Sequence, residues 1–288
     1  MRYERVVAVL SGGSAKSVAH VGALRALEEW GLVPGHYVGT SMGAVIAACY
    51  ACGLSYEDVL VRISHVTRKD VARLSPLGLL GAFSPALLRG DPLRQTIATL
   101  VPARRFSELK TPLTVTATDV ASGQLVLFGT GGWSEVGLVD ALYASCALPV
   151  FYPPAKIDGR DFVDGGLRAV LPLDTVEQFD PDLIFAVNVG PVLEKSPAED
   201  TFLPAMVRAH DATTRILMAE QIAETIERWR HGRVPLILVE PEVDPGSFSV
   251  GKAFSHVEEG YRSAYRELAK WSEGATDTGE AGRGKREG

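Results

Sequence analysis

Gly39-Thr40-Ser41-Met42-Gly43 lies between a short apolar run, Tyr37-Val38-Gly39, and a helix-forming stretch, Ala44-Val45-Ile46-Ala47-Ala48. A strand that passes into a helix through a Gly-x-Ser-x-Gly turn is a sharp elbow, and it belongs to a sheet flanked by helices. The glycines let the chain turn tightly and leave the Ser41 hydroxyl standing above a helix N-terminus. There the backbone field favours developing negative charge. The pattern also occurs by chance in surface loops, so it is the strand before and the helix after that mark Ser41 as a nucleophile.

The rest of the chain repeats the alternation. Arg5 to Leu10 is Val-rich and reads as a strand buried on both faces. Ser11-Gly12-Gly13-Ser14-Ala15-Lys16-Ser17 comes next as a small flexible loop. A helix through Val18, Val21, Leu24 and Leu27 is then stopped by Gly31 and Pro34. Ser55-Tyr56-Glu57-Asp58 opens a further helix in capping-box fashion. Leu113 to Ala117 and Leu125 to Phe128 read as strands joined by a turn at Ser122-Gly123, and Asp158-Gly159 as a hairpin turn. Leu183 to Val189 and Leu236 to Val239 complete the buried strands. Leu203, Met206, Val207, His210, Thr214 and Leu217 form one helical stripe, and Phe254, Val257, Tyr261, Ala264 and Leu268 another. After Ser272 the periodicity stops. The expectation is an α/β protein, three-layered, with a mainly parallel central sheet flanked by helices. Its single domain covers 1–271, with a disordered tail over 272–288.

Composition narrows the functional classes. A net charge of −6 with no block of Lys or Arg argues against a nucleic-acid protein. The N-terminus has no apolar leader, and no run reaches the ~20 apolar residues that span a bilayer. A cytoplasmic location is expected. Three cysteines suit a reducing compartment. Cys49 and Cys52 form a C-x-x-C with no second pair to complete a zinc site, and they read, like Cys146, as small buried thiols.

A serine nucleophile needs a base and a place for the oxyanion. Sites in parallel sheets form at the carboxyl ends of strands, which puts the Gly12-Gly13 loop and Ser41 on one edge. A phosphate-binding loop would require glycine at Leu10 and Ala15, so an oxyanion loop fits better, against a merely tight turn. For the base, His210, His231 and His256 are all helical, and none follows a strand. Asp164 in Phe162-Val163-Asp164-Gly165-Gly166 ends a short strand and is the better candidate. Asp119 in Ala117-Thr118-Asp119 is the rival acid.

This ordered set resembles the patatin-like phospholipase family: a glycine loop with a basic residue, Lys16, after strand one; Gly-Thr-Ser-x-Gly after strand two; a late Asp-Gly-Gly. The resemblance extends to Ala117-Thr118-Asp119, to Ala144-Ser145-Cys146-Ala147-Leu148-Pro149 and to Pro153-Pro154, and covers roughly Val6 to Val189. It implies a serine acyl hydrolase of the compact bacterial type. Ser41 would attack a lipid ester, Asp164 would take its proton without histidine, and the backbone of Gly12, Gly13 and Ser14 would hold the oxyanion. No metal or other cofactor is implied, and the partners would be a lipid ester and, transiently, a membrane surface. The family's loop is richer in glycine where this chain has Ser11, Ser14 and Ser17; a positive φ at Ser17 would be strained by ~1 kcal/mol. That feature supports a rival expectation, a lipid- or acyl-binding protein that hydrolyses poorly. Leu77, Leu80 and Phe83, in the nearly uncharged stretch Leu74 to Gly90, are expected either to wall the acyl chain or to pack as core.

Overall fold

The computed structural model describes residues 3–75, 86–191, 205–243 and 250–283. The first half runs β1 (Val6–Leu10), α1 (Ala19–Glu29), β2 (His36–Thr40), α2 (Met42–Ala51), α3 (Tyr56–Ser64), α4 (Arg68–Val71) and α5 (Gly90–Leu100). Then come β3 (Leu113–Asp119), β4 (Leu125–Gly129), α6 (Leu138–Cys146), β5 (Ala155–Ile157), β6 (Arg160–Asp164) and α7 (Gly166–Ala169). The chain closes with β7 (Leu183–Val187), α8 (Ala205–Arg230), β8 (Leu236–Val239) and α9 (Val250–Arg283). α9 thus continues past Trp271 into the stretch that the sequence reads as aperiodic.

All strands join one sheet, in the order β5-β6-β3-β2-β1-β7-β8, with β4 beside β3. The core from β3 through β2, β1 and β7 to β8 is parallel, and the β4, β5 and β6 pairings are antiparallel. Strand β1 is buried throughout, and alternation splits it between two apolar clusters. Val6, Ala8 and Leu10 pack towards α1, α2, α6 and α9. Val7 and Val9 join Val38 and Ile184 beneath Val170, Leu171, Ile222, Ile226 and Trp229. Helices on both faces make the three layers.

Strand β3 is the template that aligns β2 with β6. β4 occupies one of its edges from Thr114 to Thr118. On the opposite edge β2 pairs only as far as Thr40↔Thr116, and β6 begins at once with Asp164↔Ala117. The residue after the end of β2 is Ser41. One strand edge therefore sets the elbow and the carboxylate side by side.

Of the stripe expected on α8, Val207 is buried, but most of the packing lies at the other end of the helix. Met206 is 84% and Leu217 66% exposed, whereas Ile222, Thr225, Ile226 and Trp229 are buried. A helix of 26 residues is about 39 Å long, and five-residue strands span about 17 Å, so the sheet covers only part of it. On α9, Val257, Ala264 and Leu268 are buried while Phe254 is exposed. Leu203, Leu77, Leu80 and Phe83 lie outside the described residues.

Candidate active site

Ser41 is the N-cap of α2, with φ 53° and ψ −133°. This conformation costs a non-glycine residue about 1–3 kcal/mol and persists only where neighbours impose it. They do so on every side. Ser41 O accepts from Ala44 N (2.9 Å) and Val45 N (3.3 Å), and Ser41 N donates to Ser145 Oγ at 2.8 Å. Ser41 Oγ donates to Asp164 Oδ2 at 2.8 Å. Gly43 makes the elbow possible sterically, since a Cβ there would lie 2.3 Å from Ser11 O and 2.6 Å from Leu10 O.

Asp164 ends β6 and is 5% exposed. Its Oδ1 accepts from Gly166 N at 2.7 Å, its own N donates to Ala147 O (3.1 Å), and its carbonyl accepts from Thr118 Oγ1 (3.0 Å). Burial pushes its carboxyl up to about 6, with the Gly166 N–H and the Ser41 hydroxyl acting in the opposite direction. It is still ionised at neutral pH, with a proton affinity closer to working pH than that of a free aspartate. Gly165 has no room for a side chain, because a Cβ would meet Thr116 Oγ1 at 2.3 Å.

Buried hydroxyls that sequence reasoning passed over hold this pair. Thr40 Oγ1 donates to Ala169 O (2.7 Å) and lies 2.7 Å from Thr116 Oγ1, tying the end of β2 to β3 and α7. Ser145 is wholly buried near the end of α6. The available signal was a hydroxyl residue in an otherwise apolar helix end, just ahead of Pro149. Cys146 is buried beside the pair, and burial together with the Asp164 charge pushes its thiol well up, so it stays protonated.

The loop after β1 is firmly anchored. Ser11 N donates to Val187 O (3.1 Å), Ser11 Oγ accepts from Val189 N (2.8 Å), and His20 Nε2 bonds Ser11 O (2.9 Å). Lys16 Nζ donates to Gly190 O at 2.7 Å. Gly12 N donates to Val170 O at 3.0 Å, so that N–H is already engaged. Gly13 and Ser14 are then the donors that the loop offers, at the start of a 3₁₀ turn, Ser14–Val18, where N–H groups lack acceptors. The left-handed position falls on Ser14 (φ 51°), not on Ser17. Ser17 sits inside the 3₁₀ turn with its Oγ buried and, among the described residues, unpartnered.

The rival groups have other tasks. Asp119 accepts from Ser122 N (2.7 Å), Ser122 Oγ (2.8 Å) and Arg160 Nε (2.9 Å), closing the β3–β4 turn and holding its carboxyl below the usual range. His210 lies against Thr214, and His231, 82% exposed, lies beside Glu227. His256 is buried on α9. Cys49 and Cys146 are buried, Cys52 partly so, and all three are free thiols. Among the described residues no group of three His, Cys, Asp or Glu could hold a metal, and no helix is long and apolar enough to cross a membrane.

Fold and site together define an α/β protein in which a serine elbow meets a buried carboxylate. The patatin-like phospholipase family model matches residues 8–176, and the chain belongs to that family. An uncharacterized NTE family protein of Mycobacterium tuberculosis is 29% identical over 228 residues, which are 76% of this chain and 60% of that protein. The chain therefore spans about 60% of the length of this relative. Omega-hydroxyceramide transacylase of Mus musculus is 31% identical over 168 residues, 56% of this chain and 27% of that one. Among solved structures, VipD from Legionella pneumophila aligns with a TM-score of 0.49 at 14% identity, covering 94% of this chain and 67% of that chain.

Proposed function

We infer that the chain hydrolyses carboxylic esters of lipids through a Ser41–Asp164 dyad. Family membership supports lipid-ester chemistry in general. The observation that carries the finer reading is the 2.8 Å hydrogen bond from Ser41 Oγ to Asp164 Oδ2.

As Ser41 Oγ attacks the ester carbonyl, its proton passes to Asp164, and the carbonyl oxygen becomes an oxyanion facing the N–H groups of Gly13 and Ser14. Collapse breaks the bond to the leaving alcohol, which takes the proton from Asp164 and leaves an acyl-Ser41. A water then gives its proton to Asp164 and attacks the acyl carbon, releasing the fatty acid and restoring the hydroxyl. A positioned base contributes typically ~10²–10⁴ in rate, and one oxyanion donor ~10²–10³. The first turn of α2 adds positive potential at the same place.

One observation favours a second reading, a lipid-binding protein with little activity: the Gly12 N–H is donated to Val170 O, which removes one oxyanion donor. Fatty-acid release from phosphatidylcholine, lysophosphatidylcholine and triacylglycerol separates the two. Hydrolysis by wild type that vanishes in Ser41→Ala supports the enzyme. Tight lipid binding with no release from any of them supports the binding protein. His210→Ala and His256→Ala are expected to retain activity, and loss in either, with the fold intact, contradicts the dyad.

A further inference from the structure

Charge is unevenly distributed along the chain. Residues 62–110 hold nine Lys and Arg against three Asp and Glu, a net +6 in a chain whose total is −6. Among the described residues only one of those nine, Arg94, stands in an ion pair, with Asp140. Arg62 and Arg73 donate to backbone carbonyls instead, Thr99 O at 2.8 Å and Lys69 O at 3.2 Å, and feel Asp58 and Asp70 only through space, without a direct ion pair. Elsewhere the pattern is reversed: Arg5, Arg25, Arg160, Arg228 and Lys270 each lie against a carboxylate.

Four of these cations, Arg62, Arg73, Arg89 and Arg94, lie on or beside two paired arms, 73–75 and 87–89. Leu74 faces Leu88, Ser75 N donates to Leu87 O, and Arg89 N donates to Arg73 O. Arg73 and Arg89 thus stand opposite each other, where like charges repel unless an anion lies between them. Arg89, Arg94 and Lys156 line an open groove of about 450 Å³, and Arg62, His65 and Arg73 another of about 310 Å³. The acids there are few. Lys156 is bound by Asp161, Asp70 caps α4 through Thr67, and Asp91 lines the first groove. Val61 and Leu74, 59% and 62% exposed, are the chain neighbours of Arg62 and Arg73.

This face adjoins the dyad. Leu87 N donates to Val150 O (2.8 Å) and Leu88 N to Phe151 O (2.9 Å), in the turn that follows α6. Ala147, at the start of that turn, accepts from Asp164 N. Val150 itself is held at φ 70°, an outlier for a β-branched residue that fixes the turn's direction.

We propose that the cationic face around the Arg73–Arg89 pair docks the protein on the surface of an anionic lipid bilayer, which brings the dyad to its substrate. The exposed guanidinium groups of Arg73 and Arg89 suit a layer of phosphate headgroups, and exposed Val61 and Leu74 suit the apolar boundary beneath it. A nucleic acid would match the charge but leave those two side chains in water. The proposal rests on the lipid-ester reading of the site, but its test does not need turnover.

The full chain carrying Ser41→Ala is sedimented with vesicles of phosphatidylglycerol and phosphatidylcholine, and with vesicles of phosphatidylcholine alone. Binding is expected to the anionic vesicles and to fall steeply with added salt. Each surface cation contributes about fivefold to the partition coefficient, so Arg73→Gln/Arg89→Gln weakens it about 25-fold. Arg73→Lys/Arg89→Lys, which keeps the charge, restores it. Arg230→Gln/Arg233→Gln, beside β8 at the opposite edge of the sheet, leaves it unchanged. Equal binding to neutral vesicles, or an unaltered Gln variant with an unchanged Tm, overturns the proposal. So does loss in the Lys variant, which would signal a fork-specific ligand, or equal affinity for duplex DNA. Anionic binding without fatty-acid release by wild type would refute the hydrolase and leave the docking surface standing.

Discussion

Asp164→Asn should make the protein more stable while removing the proposed base. In the folded chain the Asp164 carboxyl is raised from 3.8 to about 6, with burial as the largest cause. Between those values the folded state keeps a proton that the unfolded state has released. Stability therefore falls as pH rises through this window and levels off above it. At 1.36 kcal/mol per pH unit across that window, the ionised form costs about 3 kcal/mol at pH 8. Asparagine has the same shape without the charge. Its Oδ1 can still accept from Gly166 N, and one of its two amide N–H groups can donate to Ser41 Oγ, whose own proton turns towards the half-buried site. The variant should gain about 3 kcal/mol at pH 8, roughly 6 °C in Tm for a domain of this size, and nothing at pH 3. The assay is thermal unfolding of both proteins from pH 3 to 8, without substrate. An Asp164→Asn protein that is less stable at pH 8, or a difference independent of pH, would refute the reasoning.

The same geometry sets other outcomes. On the dyad reading, in which Asp164 acts as a carboxylate, kcat/KM should rise with pH along a slope of one below about 6 and be flat above it; a midpoint near 4 would contradict the burial argument. Ser145→Ala orphans the Ser41 N–H that it now holds at 2.8 Å. It should cost about 1–3 kcal/mol of stability and lower kcat at least roughly tenfold through misplacement of the nucleophile, both readable by unfolding and initial rates. In the loop after β1, Ser14→Val places a β-branched residue at φ 51° and should destabilise by roughly 1–2 kcal/mol. Ser17→Ala removes an unpartnered buried hydroxyl and should stabilise by about 1 kcal/mol; urea unfolding of both variants checks the pair.

What was legible in the sequence is what local chemistry encodes. The Gly39–Gly43 elbow, the β1 and β2 runs, the Ser55 cap and the Asp158-Gly159 hairpin are all written within a few residues, and each stands where expected. The capping box closes through Asp58, three residues on from Ser55. The two glycines after Asp164 set it apart from Asp119 in the sequence, and it is Asp164 that bonds Ser41. Its adjacency to Ser41 was not, since it depends on β2 and β6 sharing one edge of β3 in consecutive register. The supports at Thr40, Thr116 and Ser145 were illegible for the same reason, because each acts across more than 70 residues of chain. The strain considered at Ser17 falls on Ser14 instead, because a positive φ depends on how the loop meets Val170 and Val189. On α8 the periodicity indicated a helix but not which end of it the sheet would cover.

The central claim, an activated Ser41 driven by Asp164, is tested most directly by intact-mass labelling with a fluorophosphonate on wild type, Ser41→Ala and Asp164→Asn. The account predicts a single adduct on wild type, none on Ser41→Ala, and labelling slowed at least roughly a hundredfold in Asp164→Asn. Folded wild type that takes no adduct, or Asp164→Asn that labels at the wild-type rate, would contradict it.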